Sequence, residues 1–306
     1  MKSINIFGST GKIGIKTLNI IGKYFDNIKI NLILANNNYK KLALQAKTFK
    51  PKAVCIINTN HYLSLKKLID PKVKIILPGE LKSYLESNYT DMSILSVSGY
   101  SALNYIESII KSTKYIGLVN KECIVSAGNL IKKICVKNKT NLIALDSEHY
   151  SLQNYFNLNN NLMNFKNIYL TASGGPFLNK KNLNKDKISL KSASSHPKWN
   201  MGIKNSVDSA TLANKCLEVI EAHYLFNIDF ERIKVLIHPE ALVHSIVENH
   251  NYVSFFNYFY HDMFIPIFNF LNLNINVQFR QFQNYNIKDN FELKFYKPST
   301  KIYPIL

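Results

Sequence analysis

The sequence predicts an α/β protein: a parallel sheet covered on both faces by helices, followed by a second, less regular α/β domain. Three observations predict it. Short, almost wholly apolar runs alternate with helical patterns through the first half. Strands alternating with helices build βαβ units, and runs that are apolar on both faces belong to strands covered on both sides. After Glu148 the runs lose their regularity, and polar clusters such as ASGGPF and SSHPKWNMG appear. Finally, 306 residues exceed what one small core organises, so two domains are expected, with a boundary near Asp146.

In chain order, SINIFG reads as a strand and KIGIKTLNIIGKYF as a helix, IKINLILA as a strand and YKKLALQAKTF as a helix. KAVCIIN, KVKIILPG, MSILSVSG, YIGLVN and NLIALD are further strands, with helical patterns at ALNYIESIIKS and NLIKKICVKN between them. YVSFFNYFYHDMFIPIFNFLNL (252–273) is the most apolar stretch, but His261, Asp262 and Pro266 interrupt it. A membrane span needs about 20 continuous apolar residues, so a buried strand followed by a helix is expected and no membrane partner. There are no internal repeats, and only the Asn-rich tract 157–161 has low complexity.

Hydrophobic residues make up 46% and charged residues 19%, the balance of a globular chain. The formal charge of +18 suits polyanions, nucleic acid among them. The lysines are scattered rather than gathered in a stripe or tail, so phosphate-bearing small molecules fit as well and nucleic acid is not expected. Cys55, Cys123, Cys135 and Cys216 show no C-x-x-C pairing, which argues against a zinc ribbon or disulfide framework and fits a reducing cytoplasm. No signal peptide is expected ahead of the first strand, which begins by Ile4.

FGSTGKIG follows the first strand and opens the first helix. Gly8, Gly11 and Gly14 give a G-x-x-G-x-x-G spacing, which fits either a tight βα turn or a loop whose backbone approaches a pyrophosphate at a helix N-terminus. The strand-loop-helix setting favours the second. The second strand ends in LANNN, without the acid that would hold a ribose 2′-hydroxyl, and this favours NADP over NAD. Asn36, Asn37 and Asn38, with Lys40 and Lys41, are placed to meet the extra phosphate.

In IALDSEHY (143–150) an apolar strand runs into Asp146 and Glu148. Residues two apart on an extended segment face the same way, and two adjacent carboxylates repel unless a positive charge lies between them. The pair reads either as two solvated acids in a loop or as two ligands of a divalent metal that lack a third. NSVDSATLANKCLEVIEAHYLF (205–226) reads as one helix on which Asn214, Lys215 and Glu218 share a face. Leu212, Cys216, Leu217 and Val219 flank them, so the helix is expected to be largely buried, and buried polar groups need partners. Glu218 can then supply the third metal ligand, while Asn214, Lys215 and Ser209 can hold a phosphate. TASGGPF offers Ser173 and a Gly174-Gly175 turn as a second anion cradle or a plain loop. In SSHPKWNMG, Trp199 lies beside His196, Met201 and Gly202 and suits either a lid over a ligand or a core anchor. His238, at the end of an apolar run, reads as structural.

GSTGKIG, NKE (120–122), LDSEH, SGGPF, HPKWNMG, SVDSATLANKCLE, IHPEALVHS and DMFIP occur here in the order seen in the 1-deoxy-D-xylulose 5-phosphate reductoisomerase family. The chain resembles that family from the first strand to about Pro304. The resemblance implies a Rossmann-like parallel-sheet NADPH domain over 1–146, an α/β catalytic and dimerisation domain over 147–275, and a linker or truncated segment over 276–306. It implies a homodimeric enzyme requiring NADPH and Mg²⁺ or Mn²⁺ that rearranges and reduces a small phosphorylated sugar. Asp146, Glu148 and Glu218 would be the metal ligands. Lys121 and Ser147 would contact the substrate and the metal surroundings. Ser173, His196, Ser209, Asn214 and Lys215 would hold the substrate phosphate, under a flap carrying Trp199 and Met201. Gly8, Ser9, Thr10, Gly11, Ile13 and Gly14 would line the cofactor, with Asn120, Glu122 and Gly202 also in the cofactor set. His238 and Met263 would lie at the edge of the site.

Four departures from the family pattern stand out. Lys12 replaces a small Ser in the loop; Asn37 stands where a basic residue is often found, which counts against NADPH; Ser195 replaces an Arg; and Phe264 replaces an Arg after the DM pair. Family members also continue past YP into a C-terminal helical domain, so apolar surface normally covered by those helices is expected to be open. Two rival readings are a different NADP-dependent dehydrogenase working without metal and a non-catalytic remnant that still binds nucleotide.

Overall fold

The structure is a computed structural model that describes residues 1–159, 164–178, 188–194, 203–275, 277, 292–300 and 302–305. His196, Trp199, Met201 and Gly202 therefore lie outside the described residues. The chain divides into two compact units, Met1–Leu145 with Met263–Gln278, and Asp146–Asp262 with Phe279–Leu306.

The first unit runs β1 (Lys2–Phe7), α1 (Lys12–Tyr24), β2 (Ile28–Ala35), α2 (Tyr39–Phe49), β3 (Ala53–Ile56), α3 (Tyr62–Lys66), β4 (Lys74–Ile76), α4 (Leu81–Ser87), β5 (Thr90–Leu95), α5 (Leu103–Lys111), β6 (Thr113–Leu118), α6 (Lys121–Asn138) and β7 (Asn141–Ala144). The seven strands form one sheet in the order β4-β3-β2-β1-β5-β6-β7, every pair parallel. The order reverses direction between β1 and β5, the switch point where the carboxyl ends of strands open a crevice in such folds. The apolar runs become buried strands as the sequence predicts, with one addition. Asn5, Asn31, Thr90 and Ser93 are buried inside the sheet and satisfy one another: Asn31 Nδ2 donates to Asn5 Oδ1, and Asn5 Nδ2 donates to Thr90 Oγ1 and Ser93 Oγ. A buried polar group without such partners would be costly; here the network joins three adjacent strands.

The second unit contains α7 (Ser147–Leu158), β8 (Asn167–Ala172), α8 (Leu190–Ala193), α9 (Ile203–Thr211), α10 (Ala213–Phe226), β9 (Ile233–Ile237), β10 (Val243–Glu248) and β11 (Ser254–Tyr258). Its sheet, β11-β10-β8-β9, is mixed: β8 and β9 are parallel, the other pairs antiparallel. The core gathers Leu152, Phe156, Phe165, Ile168, Leu170, Ala222 and Val247 between that sheet and α7 and α10. The last helix, α11 (Phe264–Leu271), belongs with the first unit and not with the segment 147–275 in which the sequence reading placed it. Phe264, buried, meets Tyr24 of α1 edge-on at 5.7 Å and stacks on Phe268 at 5.4 Å. An aromatic side chain thus packs where the family pattern has an arginine.

A further expectation is corrected. The segment 205–226 is not one helix: Leu212 takes a left-handed conformation (φ 61°) and separates α9 from α10. Its side chain is buried among Ala172, Ile237 and Tyr303, and that burial offsets the cost of the strained backbone. In addition, α10 buries Lys215, Glu218, Glu221 and Ala222, whereas Cys216 is only half-buried. Lys215 and Glu218 are thus buried and partnered as expected, while the flanking Cys216, Leu217 and Val219 are the less buried residues.

The glycine loop shows why its spacing is needed. Gly8 has φ 84°, and a Cβ there would lie 2.7 Å from the Ser96 carbonyl oxygen. A Cβ on Gly14 would lie 2.4 Å from the Gly8 carbonyl oxygen, so α1 can rest against the loop only without one. Gly14→Ala is expected to lower the thermal midpoint by on the order of 5 °C, read by circular dichroism; an unchanged midpoint would contradict the close approach.

Candidate functional site

The strand reading of Asp146 and Glu148 is corrected by the structure. β7 ends at Ala144, and Asp146 is the N-cap of α7, its carboxylate accepting from the Glu148 N–H at 3.2 Å. Aspartate is a favoured N-cap, and the positive end of the helix dipole welcomes Asp146 and Glu148 in the first turn. The two acids converge through a helix cap, with Leu145 ending the extended segment by donating to the Leu118 carbonyl at 2.9 Å.

Glu218 completes the group from α10 and is 1% exposed. One ligand oxygen from each of Asp146, Glu148 and Glu218 lies within 4.8 Å of the others. Two oxygens on opposite sides of a Mg²⁺- or Ca²⁺-sized ion sit roughly 4–5 Å apart, so the spacing and the all-oxygen donor set fit a hard divalent cation. Lys215, also buried, occupies the same hollow: its Nζ donates to Glu148 Oε1 at 2.9 Å and to Glu218 Oε2. Asn214 Nδ2 donates to Glu218 Oε1, and Ser147 Oγ to Glu148 Oε2 at 2.6 Å. The ammonium therefore stands in for part of the positive charge the acids require. Lys215 and Asn214, expected to hold a phosphate, are turned here toward the carboxylates.

Sequence reading missed the histidine that ties the two acidic segments together. His149 is fully buried; its Nδ1 faces Asp146 Oδ1 at 3.0 Å and Glu221 Oε2 at 3.3 Å, and its Nε2 faces the Glu218 carbonyl oxygen at 2.9 Å. All three neighbours are acceptors, so both ring nitrogens donate. Burial pulls the pKa down, but the Glu221 charge, the hydrogen bond and charge of Asp146, and the Glu218 charge outweigh it and lift the group to about 9. The signal available in sequence was the i, i+3 spacing of Glu218 and Glu221, which puts a second acid on the inward face of α10.

The remaining anion candidates of this unit lie around one turn. Ser173 follows β8, and Gly174 and Gly175 both have positive φ (84° and 63°). A Cβ on Gly175 would lie 2.8 Å from the Ser209 carbonyl oxygen, so the turn rests directly on α9 beside Ser209. The Gly175 N–H lies 3.4 Å from Ser173 Oγ. His238 is fully buried and stacks on Phe295 at 4.6 Å, with Nδ1 2.9 Å from the Lys294 carbonyl oxygen. Met263 is the N-cap of α11 and belongs to the other unit.

In the first unit, Gly8, Ser9, Thr10, Gly11, Ile13 and Gly14 surround the carboxyl end of β1, and Gly11 caps α1 with no side-chain hydrogen bond. First-turn N–H groups without a side-chain cap are suited to an anion. Ser9, however, is wholly buried: its Oγ donates to Gln45 Oε1 at 2.8 Å, and its carbonyl accepts from Gln45 Nε2 at 2.8 Å. Ser9 thus fastens the loop to α2, through a glutamine that sequence reading did not single out. Asn36, Asn37 and Asn38 are exposed after β2; Asn37 accepts from Asn58 Nδ2 at 2.9 Å and Asn38 caps α2. Asn120 caps α6 and donates to the Gly99 carbonyl at 2.8 Å, while Lys121 and Glu122 occupy the first turn, half-buried.

A doubly wound parallel sheet with a glycine loop at its switch point, together with a unit in which three carboxylates converge, fits the class of nucleotide-dependent oxidoreductases that use a divalent metal. The profile described as 1-deoxy-D-xylulose 5-phosphate reductoisomerase matches residues 4–128, and that of the same enzyme's C-terminal domain matches 142–226. The reductoisomerase of Pelagibacter ubique (strain HTCC1062) is 41% identical over 96% of this chain and 78% of its own length. That of Clostridium tetani is 37% identical over 100% and 80%. The chain belongs to the 1-deoxy-D-xylulose 5-phosphate reductoisomerase family. A crystal structure of DOX-P reductoisomerase in complex with NADPH, fosmidomycin and magnesium superposes with a TM-score of 0.91 at 30% identity, covering 99% of this chain and 77% of that one. The Zymomonas mobilis enzyme in complex with NADPH gives 0.84 at 28%, covering 99% and 78%.

The raised pKa of His149 has a measurable consequence. A group whose folded pKa lies above its ordinary 6.5 stabilises fully below that value and loses the contribution as pH rises through about 9. In metal-free protein the thermal midpoint is expected to fall between about pH 7 and 9.5, and less steeply in His149→Asn. Equal slopes would contradict a doubly donating ring.

Proposed function

We propose that Asp146, Glu148 and Glu218 hold the divalent cation, Mg²⁺ or Mn²⁺, with which this enzyme converts 1-deoxy-D-xylulose 5-phosphate to 2-C-methyl-D-erythritol 4-phosphate at the expense of NADPH. The observation that carries the assignment is the convergence of three carboxylates within 4.8 Å around a buried lysine. When bound, the cation supplies Lewis-acid polarisation of the ketone and its neighbouring hydroxyl and stabilises developing alkoxide charge.

The protein's own groups do the rest by position. Asp146 is aimed by its cap and by His149, Glu148 by Ser147, and Glu218 by Asn214. With a cation held by the carboxylates, Lys215 would no longer be needed between them and would turn to the substrate phosphate with Ser173, Ser209 and Asn214, and the family motif adds His196. A phosphate gripped away from the reacting carbons contributes binding energy that orients them. Lys121 contacts the substrate, and the flap residues Trp199 and Met201 exclude water from the aldehyde before it is reduced.

The Gly8–Gly14 loop, with Thr10 and Ile13, takes the NADPH pyrophosphate at the start of α1, and Asn36, Asn37 and Asn38 with Lys40 and Lys41 meet its 2′-phosphate. Asn120, Glu122 and Gly202 complete the cofactor side, where the reacting hydride belongs to the nucleotide and the protein's part is placement. Homodimerisation belongs to the same reading: among the described residues β11 is an edge strand carrying exposed Phe255 and Phe256, next to exposed Tyr252 and Val253, and exposed apolar edges call for a partner. Four free cysteines support a reducing, cytoplasmic setting. No helix among the described residues is long and apolar enough to cross a membrane.

Glu218→Gln preserves shape but removes a ligand charge. Turnover, followed by NADPH absorbance, is expected to fall by more than about a hundredfold, beyond the usual cost of losing an outer-shell partner, while the circular dichroism spectrum is unchanged. Wild-type activity should vanish in EDTA and return with Mn²⁺. Turnover surviving either treatment would refute the metal assignment.

A further inference from the structure

We infer that Tyr303 is a positioning residue for the turn that grips the substrate phosphate, an inference that rests on the function proposed above. Tyr303 is 1% exposed, and its hydroxyl donates to the Gly174 carbonyl oxygen at 2.6 Å across 129 positions of sequence. That carbonyl belongs to the same planar peptide as the Gly175 N–H, and in a trans peptide the two point in opposite directions. Fixing the oxygen on one side therefore aims the N–H on the other, where it meets Ser173 Oγ at the long distance of 3.4 Å. Both flanking glycines have positive φ, so nothing in their own side chains holds this peptide in place. An external clamp is needed, and Tyr303 supplies it.

The same ring reaches the other arm of the phosphate group. It packs with Ala172, which precedes Ser173, with Ile237, and with Leu212, the left-handed residue from which α10 departs two residues before Asn214. The segment carrying Tyr303 is itself anchored: Tyr296 and Ile237 exchange backbone hydrogen bonds at 2.8 and 2.9 Å, and the Tyr303 N–H donates to the Ser299 carbonyl at 2.8 Å. One side chain thus supports Ser173 with its turn and the origin of the helix bearing Asn214 and Lys215. A tyrosine kept only to fill the core would not require the hydroxyl.

The test is Tyr303→Phe, which keeps the ring and removes the clamp. The dissociation constant of inorganic phosphate, measured directly by phosphorus NMR line broadening, is expected to rise about fivefold, the effect of one hydrogen bond. The KM for 1-deoxy-D-xylulose 5-phosphate should rise in parallel, while the dissociation constant of NADPH and the Mn²⁺ concentration for half activation stay within about twofold. Unchanged phosphate affinity would overturn the inference, as would a parallel weakening of phosphate, NADPH and Mn²⁺, which would mark a merely structural role. Failure of the wild-type protein to turn over the sugar phosphate would sink the proposed function instead, and the phosphate measurement would still decide the role of Tyr303.

Discussion

Three carboxylates held together in a largely buried hollow repel one another, and the second unit is organised around what neutralises them. At separations of no more than 4.8 Å and an effective dielectric constant of about 20, each pair of charges costs at least about 3 kcal/mol. Three such pairs approach the whole stability of a typical domain, about 5–15 kcal/mol. The arrangement persists because positive charge is built in around it: Lys215 on Glu148 and Glu218, His149 on Asp146 and Glu221, and the N-terminal dipole of α7 under Asp146 and Glu148. A divalent cation at the centre of the group would do the same work. The inward polar face of α10, which departs from the break at Leu212, brings Glu218 to that point.

The first unit presents a different electrostatic feature, first-turn backbone N–H groups with no side-chain cap at the start of α1. Gly8 and Gly14 permit the close packing of the loop, and the Ser9–Gln45 pair holds the loop in register with α2. In both units the candidate ligand-binding segments are held by buried polar partners: Gln45, 36 positions from Ser9, for the glycine loop, His149 for Asp146 within the first turn of α7, and Tyr303, 129 positions from Gly174, for the glycine turn. Such partners fix orientation at low dielectric, where hydrogen bonds are strong and an unmade one is costly.

Much of this was legible in the sequence, for physical reasons. Strands covered on both faces are largely apolar, and apolar residues on a packed helix recur at helical spacing, so β2 and α2 were readable residue for residue as IKINLILA and YKKLALQAKTF, with Lys29 and Asn31 as the polar interruptions in β2. The i, i+3 and i+4 geometry of a helix placed Asn214, Lys215 and Glu218 on one face whichever way that face pointed. What was not legible depended on tertiary context. A cap and a strand end look alike in LDSEH, because the choice at Asp146 is made by the hydrogen bond from Glu148. The left-handed Leu212 is allowed only by the pocket that buries it. That Lys215 and Glu218 are buried more deeply than Cys216, Leu217 and Val219 was not legible, because a cluster of charges that neutralise one another can occupy an interior that apolar residues normally fill. The return of α11 to the first unit follows from Phe264 and Phe268 meeting Tyr24, a contact that no local pattern announces.

The central claim, that this hollow is built for a divalent cation, is tested most directly by anomalous scattering from crystals of the protein grown with Mn²⁺. The account predicts one strong manganese peak about 2.0–2.4 Å from an oxygen of each of Asp146, Glu148 and Glu218, with the Lys215 ammonium moved out of the space between Glu148 and Glu218. A hollow without a peak at saturating Mn²⁺, with Lys215 still bridging the two glutamates, would contradict it.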